Sequence, residues 1–67
     1  MIIEYLYNDR SVKHTYRNVA FLRHGTGDTV HLYGMDTALN QFYQEYFIAC
    51  IHLDKGEMLE RVDVPRD

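Results

Sequence analysis

The stretch Glu45-Tyr-Phe-Ile-Ala-Cys-Ile-His-Leu-Asp54 decides the fold, because it can be written either as a strand or as the end of a helix. As a strand, its odd positions Phe47, Ala49, Ile51 and Leu53 are all apolar, and the run is rich in β-formers. As part of a helix over 37–53, Leu39, Phe42, Tyr43, Tyr46, Phe47, Cys50 and Leu53 share a stripe, with Asp36 or Thr37 as N-cap. Ile48 then sits badly. The residues just after the stretch favour the strand. Asp54-Lys55-Gly56-Glu57 has the composition of a two-residue turn, which would pair Leu53 with Met58, Ala49 with Val62 and Phe47 with Val64. Asp36 to Gln44 then becomes a loop with room for one helical turn.

Upstream, Met1 to Tyr7 is apolar and aromatic with no helical cap before it, which reads as a strand. Asn8 to Ser11 is a polar turn, and Val12 to His24 reads as a long second strand. In His24-Gly25-Thr26-Gly27-Asp28 the two glycines supply positive-φ positions for a tight hairpin. A four-residue loop from Gly25 to Asp28 would pair His24 with Thr29 and Ala20 with Tyr33. Val19, Phe21, Val30 and Leu32 then share the core face, with Ala20, Leu22, His24, His31 and Tyr33 opposite.

The expected fold is mainly β: a small antiparallel meander closing toward a barrel, with strands near Ile2 to Tyr7, Val12 to Arg23, Thr29 to Tyr33, Glu45 to Leu53 and Met58 to Val64. SH3-like and Sm-like barrels share this rhythm, which is architecture and carries no function. The alternative is α+β, a three-stranded sheet with a helix at about 37–53. The expected core is Ile3, Val19, Phe21, Val30, Leu32, Phe47, Ala49, Ile51 and Val62.

The 67 residues make one domain, 1–67, with 65–67 expected to fray. A core this small rarely yields more than ~3–5 kcal/mol, so a staple or a partner is often needed. The single Cys excludes an internal disulfide, and without a charged-then-apolar leader the expected setting is cytoplasmic. No apolar run is long enough to span a membrane as a helix. Small size, no staple and six Tyr together lead to the expectation of a homodimer or higher homo-oligomer.

Net charge is −3 but uneven. Up to Gly34 there are four Lys/Arg against three Asp/Glu, and after it three against seven. Arg10, Lys13, Arg17 and Arg23 fall in a segment, 10–24, that has no acidic residue. That segment is the basis of a nucleic-acid reading, single-stranded DNA or RNA held on phosphates by those four cations with Tyr16 or Tyr33 stacking on bases. A pI near 5.7 weighs against it. Lys13, Arg17 and Arg23 also share strand parity with Val19 and Phe21, so only a bulge near Asn18 lets the basic end face outward.

The remaining motifs carry little chemistry. His24 and His31, on one face of the expected hairpin, form with Asp28 the nearest approach to a metal set, but no HxxxH, HxH or CxxC pairing exists and no metal is assigned. Gly25-Thr26-Gly27 lacks the Lys and helix of a phosphate loop. Cys50 and His52 would point the same way on a strand, yet apolar neighbours imply a buried, inert thiol. There is no triad order, paired-carboxylate signature or cofactor fingerprint, so neither catalysis nor a cofactor is expected. The Tyr residues remain. Tyr5, Tyr7, Tyr16 and Tyr33 are the candidate partner-binding residues of a non-enzymatic module that binds another protein through an aromatic face or a strand edge.

Overall fold

The computed structural model describes residues 1–37 and 43–64. Six strands form two antiparallel sheets: β1 Ile2–Leu6, β2 Val12–Tyr16, β3 Phe21–His24, β4 Thr29–Thr37, β5 Tyr43–His52 and β6 Met58–Val62. One sheet has the order β2-β1-β6, the other β3-β4-β5. The strand expected over Glu45 to Leu53 is thus found as Tyr43–His52, and there is no helix among the described residues; β4 runs on past Tyr33 to Thr37, so Asp36 and Gln44, expected in a loop, are paired with each other. The alternative helix at 37–53 is thereby corrected, although 38–42 and the tail 65–67 lie outside the described residues.

The chain changes sheets twice, each time within a few residues. Val19 N–H donates to the Met1 carbonyl (3.0 Å) and the Met1 ammonium to the Val19 carbonyl (2.5 Å), while the next residue, Ala20, already donates to Tyr33 of β4 (2.8 Å). Asn18, at φ 59°, supplies the left-handed kink that splits the expected long second strand into β2 and β3. The second change comes after β5. Leu53 N–H still bonds Asp28 beside β4 (2.9 Å), and the Asp54–Glu57 turn, with Gly56 at φ 85°, then carries the chain to β6. That turn is where it was expected, but it joins two sheets. β6 pairs with β1, Ile2 against Val62 and Leu6 against Met58, so the expected Leu53–Met58, Ala49–Val62 and Phe47–Val64 pairs do not form. Among the described residues the sheets do not close into a barrel.

The β3–β4 hairpin shows how one residue decides a face. Gly25 N–H donates to the Thr29 carbonyl (2.9 Å), leaving a three-residue loop with only Gly27 at positive φ, 64°. Gly25 is needed for a different reason, since a Cβ there would collide with Thr29 Oγ1. The loop is one residue shorter than expected, so Phe21 pairs with Tyr33 and Leu22 with Leu32. Every side chain of β3 thereby changes face relative to the expected register. Leu22 turns inward and Phe21 outward.

The core lies between the sheets: Ile3 and Tyr5 from β1, Val19 from the crossing, Val30 and Leu32 from β4 and Ile51 from β5, with Tyr16, Leu22, Ile48, Leu53 and Leu59 packed around it. Each fully buried aliphatic is worth about 1.5–3 kcal/mol over an exposed one. A bulge in the β4–β5 ladder places Leu32 opposite Ala49 but Tyr33 opposite Phe47, with Ile48 as the extra residue. Parity reverses across it, and Phe47, expected in the core, is 58 % exposed. The molecule is flat, 45 × 29 × 12 Å, and its radius of gyration, 13.1 Å, exceeds the roughly 11 Å of a compact chain this long.

Candidate functional site

Two constellations stand out, one on the outer face of β3-β4-β5 and one beneath the second crossing. The outer face follows from the shortened hairpin and the bulge. Phe21 and Tyr33 are cross-strand neighbours with stacked rings, centroids 5.1 Å apart, and Phe47 stands edge-on to Tyr33 at 5.9 Å. His31 meets the Phe47 ring edge-on at 6.3 Å. The Arg23 guanidinium caps this array, 5.2 Å from the Phe21 centroid and 5.6 Å from that of Tyr33, within cation–π range. Met35, 43 % exposed, continues the same strand face beyond Tyr33. The opposite face of β4 is tight at Gly34, where the Tyr46 ring occupies the space a Cβ would fill.

The second constellation is polar. The Tyr5 hydroxyl lies 2.5 Å from Glu57 Oε1 and 2.8 Å from the His52 carbonyl, so one proton is shared between two acceptors. Lys13 Nζ donates to Glu57 Oε2 (3.2 Å) and to the Tyr5 hydroxyl oxygen (3.4 Å), and its ammonium stands over the Tyr5 and Tyr7 rings at 4.6 and 5.3 Å. Asp54 N–H donates to Glu57 Oε1 at 2.9 Å. The Tyr5 hydroxyl, then the Asp54 amide and the Lys13 ammonium, hold the Glu57 carboxyl below its ordinary range. Glu57 in turn is the main reason that Tyr5 and Lys13 are both raised. The cluster ties β1 and β2 to the turn that leaves β5, and so works as a staple between the sheets.

The four candidate Tyr do not share a surface. Tyr5 is 7 % exposed and belongs to the core and the staple. Tyr16 is half-buried against the core, its ring 4.4 Å from that of His14. Tyr7 is exposed just beyond β1, and only Tyr33 lies on the aromatic outer face. The four candidate cations are likewise dispersed. Arg10 sits in the β1–β2 turn at φ 70°, Lys13 is engaged by Glu57, Arg17 follows β2 and has a partner of its own, and Arg23 lies on the aromatic face. Arg23 faces outward together with Phe21 because of the shortened hairpin, while Val19 is buried at the crossing after Asn18.

His24 and His31 occupy adjacent pair positions opposite Val30 and Arg23, so the one-residue shift puts them on opposite faces. Among the described residues no three His, Cys, Asp or Glu side chains come together as a metal site. Cys50 is exposed, not buried as expected, with Sγ 4.0 Å from His52 Nε2. Plain alternation explains this, since Cys50, opposite His31, lies between inward-facing Ala49 and Ile51, so apolar neighbours in sequence do not bury it. Sequence reasoning missed Phe21 and Phe47 as surface residues and missed the Tyr5–Glu57 bond, whose partners are 52 positions apart. Comparison with models of known protein families, with characterised proteins and with solved structures found no match.

Proposed function

We propose that this chain is a non-enzymatic interaction module that binds another protein through the outer face of β3-β4-β5. The supporting observation is the continuous Phe21–Tyr33–Phe47 array capped by Arg23, with Phe47 more than half exposed. Aromatic and Arg side chains dominate the binding energy of protein interfaces, because they bury large areas and retain a polar or charged tip. Self-association belongs to the same reading, given a small core and a flat shape. A reducing, cytoplasmic setting suits the single free Cys50.

The Arg23-on-aromatic arrangement also favours a second reading, in which single-stranded nucleic acid stacks on the face. Charge separates the two. With Lys13 engaged by Glu57 and the other cations dispersed, Arg23 is the one member of the basic segment on this face. The test is parallel capture from the source cell with the wild-type chain and with Phe47→Ser. The proposal expects a defined protein retained by the first and lost from the second, and equal retention by both overturns it. Binding of single-stranded DNA or RNA that falls steeply with salt would transfer the face to the second reading.

A further inference from the structure

We propose that β5 pairs antiparallel with β5 of a second copy, through the edge that β4 does not use, giving a six-stranded sheet across a two-fold axis. The inference rests on the self-association reading above and gives it a location. Each sheet has two edges, and three of the four are guarded. β2 is five residues long, with Lys13 at an irregularity in its ladder; β6 carries Glu60 and Arg61 in its five; β3 has only four residues, one of them Arg23. Short length, charge and bulges are the devices by which edges avoid pairing. β5 is ten residues long and carries a single formal charge, Glu45. Among the described residues no strand lies on its far side.

Backbone alternation shows which groups are available. Leu53 N–H points to Asp28 on the β4 side, so Ile51 and Ala49 also bond toward β4, and the backbone groups of Cys50 and His52 face the open edge. The His52 carbonyl already accepts the Tyr5 hydroxyl, which ends the open stretch at Cys50. Eight residues, 43–50, remain. A two-fold ladder of that length makes about eight backbone hydrogen bonds, within the range of a specific interface. The bulge at Ile48 divides that ladder into two runs without shortening it.

Charge selects the direction, and the matching unguarded edge selects the occupant. Parallel pairing would stack Glu45 on Glu45, whereas antiparallel pairing over 43–50 sets each Glu45 opposite Phe47 and Ile48 of the other copy and separates the two carboxylates along the ladder. A second copy presents the same unguarded edge, and the two-fold closes the assembly because each chain spends its one such edge.

The experiment is sedimentation equilibrium of the full chain and two variants, from micromolar to several hundred micromolar, with far-UV circular dichroism as the check on folding. Cys50→Pro removes an outward N–H and leaves the bonds of β5 to β4 in place. Cys50→Glu, at an exposed position, sets a second carboxylate diagonally beside Glu45 of the other copy and decides the question if the proline variant does not fold. A dimer in the wild type whose dissociation constant rises at least ~tenfold in the folded variants supports the proposal. A wild type that stays monomeric throughout overturns both it and self-association. A dimer equally tight in the variants overturns the edge alone, and its weakening by Phe47→Ser would then assign self-association to the aromatic face.

Discussion

Strand β1 and strand β4 are both central in a three-stranded sheet, yet they meet their surroundings in opposite ways. In β1 four consecutive residues, Ile3, Glu4, Tyr5 and Leu6, are buried, whichever face they point to. In β4 burial alternates, with Val30, Leu32 and Gly34 inside and His31, Tyr33 and Met35 partly or largely outside. A strand covered on both faces loses the period-two pattern, and one covered on a single face keeps it. The first sheet thus spends its side chains on holding the molecule together: β1 brings Ile3 and Tyr5 to the core, and the Tyr5 hydroxyl to the staple. The second supplies Val30, Leu32 and Ile51 to the core from one side only. Its other side bears Phe21, Tyr33, Phe47 and Arg23.

If the sheets share one core, damage to that core from β4 must also release β1. Leu32 is fully buried, and Leu32→Ala should cost about 2–5 kcal/mol, comparable to the whole stability of a core this small. The variant is expected to be largely unfolded at room temperature, with no separate transition for either sheet in urea. Hydrogen exchange in which the β1 amides stay protected while those of β4 do not would break the comparison, by showing that the first sheet stands alone.

Removing the staple tests the same link more gently. Tyr5→Phe keeps the ring in the core and deletes the hydroxyl shared by Glu57 and the His52 carbonyl. The expected loss is about 1.5–3 kcal/mol by urea unfolding, the usual contribution of a hydrogen bond to a charged group. No change would mean that the crossing is held by packing alone.

The parts of this architecture that were legible in the sequence are those fixed by neighbours. The hairpin at Gly25 to Asp28, the strand expected over Glu45 to Leu53 and the turn at Lys55 and Gly56 all follow from local composition. Register did not, because a loop shorter by one residue exchanges Phe21 for Leu22 in the core, and the bulge at Ile48 expels Phe47 with no mark in the residue pattern. The β1–β6 pairing and the Tyr5–Glu57 bond join the two ends of the chain, where local preference says nothing. The aromatic face was therefore the least visible feature. Two of its three rings looked like core, since period-two alternation tells which residues share a face and leaves open which face is buried.

The staple also predicts how stability follows pH. Glu57 is held below its ordinary range, so its contribution is present above the ordinary carboxylate range and is lost as pH falls through the lowered native value. Tyr5 and Lys13 are raised, so their contributions are present below their ordinary values and are lost as pH rises through the raised ones. Urea midpoints should trace a plateau between an acid and an alkaline limb. Glu57→Gln should make both limbs shallower, because Glu57 is also the main cause of the other two shifts. Some acid dependence should survive in that variant, since Ser11 holds Asp9 low independently. An acid limb unchanged by Glu57→Gln would remove the staple from the account of the first sheet.

The smallest effect on stability is expected where the effect on binding is largest. Phe47 is 58 % exposed, and its contacts on the outer face are edge-on approaches to Tyr33 and His31. Phe47→Ser forfeits those contacts but opens no cavity, so unfolding should shift by no more than about 1 kcal/mol, with the circular dichroism unchanged. Serine also leaves the β4–β5 ladder and its bulge in place, because these are backbone features. Loss of partner capture at nearly unchanged stability is the signature of a side chain kept for contact, and no substitution of a buried residue in β1 can reproduce it. A Phe47→Ser chain destabilised as severely as Leu32→Ala would instead make the aromatic array a second, open-sided core, and the difference between the two sheets would be one of degree.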